Sequence, residues 1–390
     1  MSRGADTAVR VLVLDASVRQ ALAACRALGR AGHEVGTAGW SDRAVASRSR
    51  HSARYHRLPS PGGAAAQFEE ALAAVVAAHR YEAIVAVDDR TLARLDTVDV
   101  PVPSVPTPGR PFRLLTEKLE LAALARRAGV DYPATCTLDE FLADGARPFP
   151  FPVVVKSARS GVATPEYAEL ASGARVVDDL ASLEAAGARL VARRHVAIVQ
   201  ERVWTSRKLN VVLIRRGGRS ELRYAHEALR ESPPQGGLGV TLRTVDAGDP
   251  DVLPSVEALE RVCDAAGYEG LVQAELYVEP GRAWLIDVNP RLWGSTWFAE
   301  RLGLRVTERA VAVALGRSAT GPVDYPVGRT FHHLGGELRW ASLHRPAVPR
   351  LLELVRTTRP WDVFEYADLS DPAPPLALAV DSLRRRVSRS

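Results

Sequence analysis

Two carboxylates, an amide and a guanidinium fall within Leu271 to Ser295, LVQAELYVEPGRAWLIDVNPRLWGS. Glu275 lies before a Glu-Pro-Gly step with turn chemistry, and Asp287, Asn289 and Arg291 lie after it. The flanks LVQAELYV and RAWLIDV are rich in branched and aromatic residues, so the stretch reads as a β-hairpin. Asp287 and Asn289, two apart, share one face of the second strand. A three-residue loop, Pro280 to Arg282, would set Glu279 opposite Ala283 and Glu275 opposite Asp287. A two-residue loop would put the carboxylates on opposite faces, so a joint site requires a loop of odd length. Two carboxylates and an amide oxygen suit a hard divalent cation, and a guanidinium beyond them suits phosphate. A plain hairpin with one wet, acidic face would carry the same residues. The rest of the chain decides between the two.

The 390 residues are 46% hydrophobic and 25% charged, enough for two or three domains of an ordinary soluble protein. Lys118, Lys156 and Lys208 are the only lysines among 51 basic residues, so arginine supplies the net charge of +5. The arginines are scattered among 46 acids, without the basic runs of a nucleic-acid surface. Cys25, Cys136 and Cys263 are odd in number and widely spaced, which suits reduced thiols in a cytoplasmic protein. Asp15 interrupts the first apolar run, which suits a strand and not a signal peptide, and no 18-residue apolar stretch marks a membrane span.

The elements that must position these residues follow from periodicity. Arg10 to Leu14, Val18 to Arg30 and His33 to Gly36 read as strand, helix and strand, with no GxGxxG at Asp15-Ala16-Ser17 to mark a dinucleotide site. Arg48 to Pro61 is basic and loop-like. A helix over Phe68 to His79 precedes a strand, Ala83 to Val87, that ends at Asp88-Asp89, where parallel sheets bind ligands. Five prolines between Pro101 and Pro111 mark a boundary. Thr116 can cap a helix over Glu117 to Ala128. Lys156 ends the apolar strand Val153 to Val155, and Ala174 to Val177, Asp179 to Val191 and Val196 to Gln200 read as strand, helix and strand. The Pro-Gly loop Arg230 to Gly239, followed by Arg243, is either a substrate contact or a plain surface connection. Arg193, Arg194 and His195 read as a solvated turn. Ser295 can cap a helix through Phe298 to Leu302, and Thr307 to Leu315 continues as helix. The tail holds His332-His333, whose adjacent side chains diverge and suit packing, then Trp340, Trp361, Asp371-Pro372-Ala373-Pro374 and Arg384 to Arg386.

Four blocks now stand in order: TEKLELAALARRAGVDYPAT, FPVVVKS, VQERV and the hairpin ending in DVNPR. They resemble the lysine-bearing helix, second-lysine strand, adenine hinge and metal-binding hairpin of the ATP-grasp superfamily. The blocks span residues 118 to 295, and the first 107 residues resemble the α/β domain that precedes them in that family. The resemblance implies an α/β fold: an N-terminal α/β domain over 1–107, an α+β ATP-grasp domain over 108–328 whose two subdomains clasp ATP, and a helical C-terminal extension over 329–390. It implies that Glu275, Asp287 and Asn289 hold one or two magnesium ions, with manganese as a substitute. Lys118 and Lys156 would follow the polyphosphate as point charges. Gln200 to Val203 would meet adenine through the Glu201 carbonyl and Val203 amide, and Arg291 would steady the transferred phosphoryl group.

The sequence departs from that pattern twice. The loop Ser157 to Val162 has one glycine where the family carries a glycine-rich flap. Lys208 stands where many relatives carry an acid for the ribose, and an ammonium accepts no hydrogen bond. Either Asn210 holds the ribose, or Lys208 reaches a phosphate or the substrate. The hairpin end NPRLWGS and the Asp-Pro-x-Pro tail resemble a carboligase subgroup of the superfamily. The activity implied is an ADP-forming carboxylate-amine ligase that makes an acyl phosphate and passes it to an amine or another nucleophile, with Lys156 and Arg291 catalytic. Its partners would be a small carboxylate and an amine, and a homodimer is compatible. A bicarbonate-using carboxylase or carbamoyl-phosphate-type enzyme, and an ATP-binding protein without turnover, are the rival readings.

Overall fold

The computed structural model describes residues 8–42, 44–143, 148–159, 174–193, 195–233, 236–318, 321, 323–343 and 346–378. They fold as two units, each drawn from separated parts of the chain. The first takes residues 1–108, 291–325 and 363–390, and the second takes 109–290 and 326–362.

In the first unit, β1 (Arg10–Val13) is an apolar run buried on both faces, as a central parallel strand requires. Helix α1 (Arg19–Arg30) buries Ala21, Leu22, Cys25 and Leu28. β2 (Glu34–Gly39), β3 (Ser52–Arg57), α2 (Ala65–His79), β4 (Ala83–Val85), α3 (Asp89–Leu95) and β5 (Ser104–Val105) follow. Among the described residues the strands form a parallel sheet in the order β3-β2-β1-β4-β5. β3 lies in the passage expected to be a loop. It is an edge strand held by backbone pairing to β2, and its mostly exposed side chains carry no apolar signature. β4 stops at Val85 because the amides of Val87 and Asp88 turn to the Asp15 carboxylate, at 2.9 and 2.8 Å.

Helices Thr296–Arg301 and Val306–Ala314 return to this unit. Ser295 does not cap the first of them through its side chain; its hydroxyl accepts from Trp293 Nε1 at 2.8 Å. The tail also returns. Asp371 Oδ2 accepts from Arg26 Nε at 2.8 Å and from Ser49 Oγ at 2.7 Å, and Oδ1 from the Arg50 amide at 2.9 Å. The Arg26 guanidinium lies 5.2 Å from the Trp297 ring centroid. Arg384 to Arg386 lie outside the described residues.

The second unit opens with α4 (Arg110–Thr116) and α5 (Lys118–Arg127). Thr116 does not cap α5: it ends α4 and its hydroxyl donates back to the Phe112 carbonyl at 3.1 Å, leaving Glu117 at the cap position. A small antiparallel sheet has the order β6-β9-β7-β8, from β6 (Thr135–Thr137), β7 (Val153–Ser157), β8 (Arg175–Val177) and β9 (Ala197–Glu201). It packs α6 (Leu138–Leu142) and α7 (Leu180–Ala192) around Phe141, Phe149, Val155 and Leu183. Asp179 caps α7, accepting from the Ser182 amide at 2.7 Å.

The larger antiparallel sheet of this unit runs β14-β13-β10-β11-β12-β15. Its strands are β10 (Arg207–Arg216), β11 (Arg219–Ser232), β12 (Leu238–Val245), β13 (Gly270–Glu279), β14 (Arg282–Asn289) and β15 (Thr330–His332), with α8 (Leu253–Ala266) inserted before β13. One face packs Leu209, Val211, Ala274, Leu276, Leu285 and Val288 against α5 and α8. Side chains alternate along a strand, so Lys208, Asn210, Gln273, Glu275, Asp287 and Asn289 share the opposite face. Helices Leu334–Leu343 and Ala347–Thr357 close the unit. His332 is buried between Glu337 and Asp362, at 2.7 and 3.0 Å, and His333 Nδ1 accepts from the Gly336 amide at 2.8 Å, so the paired histidines pack and cap. No helix among the described residues is long and apolar enough to cross a membrane.

Arg26 and Asp371 are each 1% exposed. Asp371→Ala strands a buried guanidinium and is expected to lower the unfolding free energy by about 3–5 kcal/mol in chemical denaturation. A loss below about 1 kcal/mol would show that the tail does not anchor this unit.

Candidate active site

Lys118 and Lys208 pair with two carboxylates on the polar face of the second unit, and Lys156 lies near enough to feel both charges. Glu275 and Asp287 pair directly across β13 and β14. The loop between the strands has two residues, Pro280 and Gly281, because Glu279 pairs with Arg282. Gly281 supplies the left-handed conformation (φ 78°) this turn needs. The expectation of an odd loop is therefore corrected. A β-bulge at Ile286 adds one residue to β14, so that Leu276 pairs with Leu285 and the next pair is Glu275 with Asp287. The bulge does what an odd loop would have done, without altering the turn.

Lys118, 4% exposed at the first turn of α5, donates from Nζ to Asp287 Oδ1. Its amide donates to the Ala158 carbonyl at 2.9 Å, and the neighbouring Glu117 carboxylate pairs with Arg159. The residues just after β7 are thereby tied to the start of α5. Lys156, on β7, donates to Gln200 Oε1 at 2.8 Å, and Gln200 Nε2 donates to Thr135 Oγ1 at 2.9 Å. Burial first, then the Lys118 ammonium, pushes the Lys156 pKa down to about 8, against the pull of Asp287 and Glu275. Burial and the Asp287 charge raise the Tyr132 hydroxyl above its ordinary value. At the hinge, the Glu201 amide donates to the Ala134 carbonyl at 2.8 Å, and Val203 is half-buried.

Lys208 lies against two carboxylates. Its Nζ lies 2.7 Å from Glu275 Oε2 and 3.1 Å from Glu231 Oε1. Burial would lower its pKa, but Glu275 and then Glu231 outweigh that and hold it above the lysine norm. Asn210 is engaged too, its Oδ1 accepting from Gln273 Nε2 at 2.9 Å. Gln273 Oε1 in turn accepts from Asn289 Nδ2 at 2.9 Å, which turns the Asn289 oxygen toward other use. Gln273 is 1% exposed and was not singled out from the sequence. Its signal was present: it lies two residues before Glu275, and period-two alternation puts it on the same face.

Among the described residues no group of three His, Cys, Asp or Glu could hold a metal. Glu275, Asp287 and the Asn289 oxygen are hard donors that could hold a magnesium or manganese ion. Ser160 to Val162, Arg194, Pro234 and Gln235 lie outside the described residues.

Arg291 belongs to the first unit. Asp89 holds its guanidinium by two hydrogen bonds, Nε to Oδ1 at 2.6 Å and Nη2 to Oδ2 at 3.0 Å. The adjacent Asp88 caps α3, accepting from the Arg90 amide at 2.9 Å. Asp15, buried with φ 59°, also accepts from Thr91, and burial followed by the Asp88 charge pushes its carboxyl up to about 7. Sequence reading gave Asp15 only a turn.

No protein-family model matches the chain, and no curated protein does. Solved structures do match. An L-amino acid ligase from Bacillus licheniformis aligns with TM-score 0.65 at 14% identity, over 83% of this chain and 78% of that one. Biotin carboxylase from Campylobacter jejuni, in a β,γ-ATP complex, gives 0.65 at 16% over 83% and 74%. N5-carboxyaminoimidazole synthetase from Staphylococcus aureus, in complex with ADP, gives 0.62 at 11% over 83% and 80%. The chain has the ATP-grasp fold. At these identities the likeness concerns the fold.

Gln273→Leu removes both hydrogen bonds that connect Asn210 to Asn289. Leaving those amides without partners is expected to cost about 1–3 kcal/mol of stability in chemical denaturation. An unchanged midpoint would show that the three amides are not coupled.

Proposed function

We propose that the chain is an ATP-dependent, ADP-forming ligase that activates a small carboxylate as an acyl phosphate and joins it to an amine. The pairing of Lys118 and Lys208 with Asp287 and Glu275, with the Lys156 ammonium within reach of both charges, carries this reading. Mobile ammonium groups beside oxygen ligands are what a polyphosphate with its divalent ion needs.

In the proposed reaction a substrate carboxylate oxygen attacks the γ-phosphorus, the bond from that phosphorus to the bridging oxygen breaks, and ADP leaves. The amine nitrogen then attacks the acyl carbon, the carbon–oxygen bond to the phosphoryl group breaks, inorganic phosphate leaves, and the amine proton passes to solvent. Magnesium held by Glu275, Asp287 and Asn289 would neutralise phosphate charge. Lys118 and Lys156 would orient the phosphates, and Gln200 to Val203 would border the adenine. No side chain need act as covalent nucleophile, because positioning and charge neutralisation supply the catalysis. The likeness to biotin carboxylase and the carboxyaminoimidazole synthetase favours one rival, in which bicarbonate is the acid activated.

An ADP-release screen with magnesium, over small carboxylates and amines, tests the proposal. ADP that needs both an acid and an amine is expected. Release that needs bicarbonate and no organic acid would replace it with the carboxylase reading, and nucleotide binding without release in any mixture would end both. Asp287→Asn and Asn289→Ala are each expected to lower ADP formation by about 100-fold or more in a protein with wild-type circular dichroism. Near-normal rates in both would remove the metal assignment.

Lys156 holds phosphate only as the ammonium, the form present below its pKa of about 8. Nucleotide affinity measured by calorimetry is expected to fall as pH rises through that value, and Lys156→Arg is expected to flatten the profile. A flat wild-type profile would take Lys156 off the phosphates.

A further inference from the structure

A cavity of about 420 Å³ opens in the second unit, within the range of small-molecule sites. Trp204, just beyond the hinge, and Lys208, Arg230, Glu231 and Tyr277 of the large sheet form one side. Trp340 and Glu353, from the two C-terminal helices of this unit, form the other. We propose that this cavity binds the acceptor substrate, and that the acceptor is a primary amine on a planar, aromatic body. The proposal rests on the ligase reading and gives the C-terminal helices a role in it.

Three observations lead there. The cavity borders the candidate active site, because its wall residue Lys208 has Nζ 2.7 Å from Glu275. The cations of the wall already have counter-charges. Arg230 pairs with Glu353 at 2.8 Å and lies over the Trp340 ring at 5.1 Å, and Lys208 pairs with Glu275 and Glu231. An incoming carboxylate would have to displace one of these partners. Glu231 offers the reverse: its buried Oε1, although 3.1 Å from Lys208 Nζ, accepts no well-aligned hydrogen bond from a described residue. A carboxylate oxygen has more than one lone pair, so beside the Lys208 charge it can still take a well-aligned N–H donor. Finally, the indoles of Trp204 and Trp340 and the ring of Tyr277 line the cavity, and Arg230 over Trp340 at 5.1 Å and Lys208 by Tyr277 at 5.9 Å show that this lining pairs aromatic rings with cations, a pairing that an aromatic amine extends.

The full-length protein is titrated calorimetrically with phenethylamine, 3-phenylpropionate and 2-cyclohexylethylamine, with and without a saturating non-hydrolysable ATP analogue and magnesium. Phenethylamine is expected to bind in both conditions, about tenfold or more tighter than either comparison compound. Trp340→Ala and Glu231→Gln are each expected to weaken it about tenfold, Trp340→Phe to restore most of it, and nucleotide affinity to be unchanged in Trp340→Ala. Absence of binding, binding indifferent to both variants, or displacement by the nucleotide analogue overturns the proposal; displacement would make the cavity part of the nucleotide's own site. The two readings fail separately. Amine binding that depends on Trp340 without ADP release in any acid mixture would sink the ligase and leave the amine site. ADP release driven by amines whose affinity ignores Trp340 would sink the cavity proposal and leave the ligase.

Discussion

Charges brought out of water need partners, and that constraint shapes the larger unit. The Lys118 and Lys208 side chains are almost fully buried, and each has a carboxylate: Asp287 for the first, Glu275 and Glu231 for the second. Lys156 differs. Its ammonium meets an amide oxygen, that of Gln200, and feels Lys118 nearby, so it is pushed toward neutrality near physiological pH. The arrangement is a set of opposite charges held at short range on one face of a sheet whose other face is a hydrophobic core. Only because that core fixes the strands can the charges be held so closely.

The hairpin shows how the two faces are reconciled. Leu276, Leu285 and Val288 must stay in the core, while Glu275, Asp287 and Asn289 must face the site. A regular ladder from the two-residue turn would set Glu275 opposite Ile286 and send Asp287 into the core. The bulge after Leu285 removes that conflict in one step. The chain Asn210–Gln273–Asn289 then fixes the amide at the end of β14 by hydrogen bonds across three strands.

In the smaller unit two buried acids do comparable work. Asp15 ties the end of β1 to the start of α3, the helix whose first residue, Asp89, holds Arg291. Asp371 returns from near the end of the described chain to close Arg26, Ser49 and Arg50. These contacts hold the segment that contains Asp371 on this unit.

The alternation of βα elements at the start and the order of the lysine and hairpin blocks were legible in the chain before any packing was known. Those features are local: periodicity, turn residues and residue chemistry are written within a few positions of one another. The edge strand β3 escaped because backbone pairing holds it without an apolar pattern. The pairing of Glu275 with Asp287 was legible as a need but not as a mechanism, since a bulge has no composition of its own. Only tertiary structure decided that Lys208 sits on Glu275, that Arg291 answers to Asp89, and that Asp371 meets Arg26. Each joins residues tens to hundreds of positions apart, and such contacts are set by how sheets and helices pack, which no local pattern encodes.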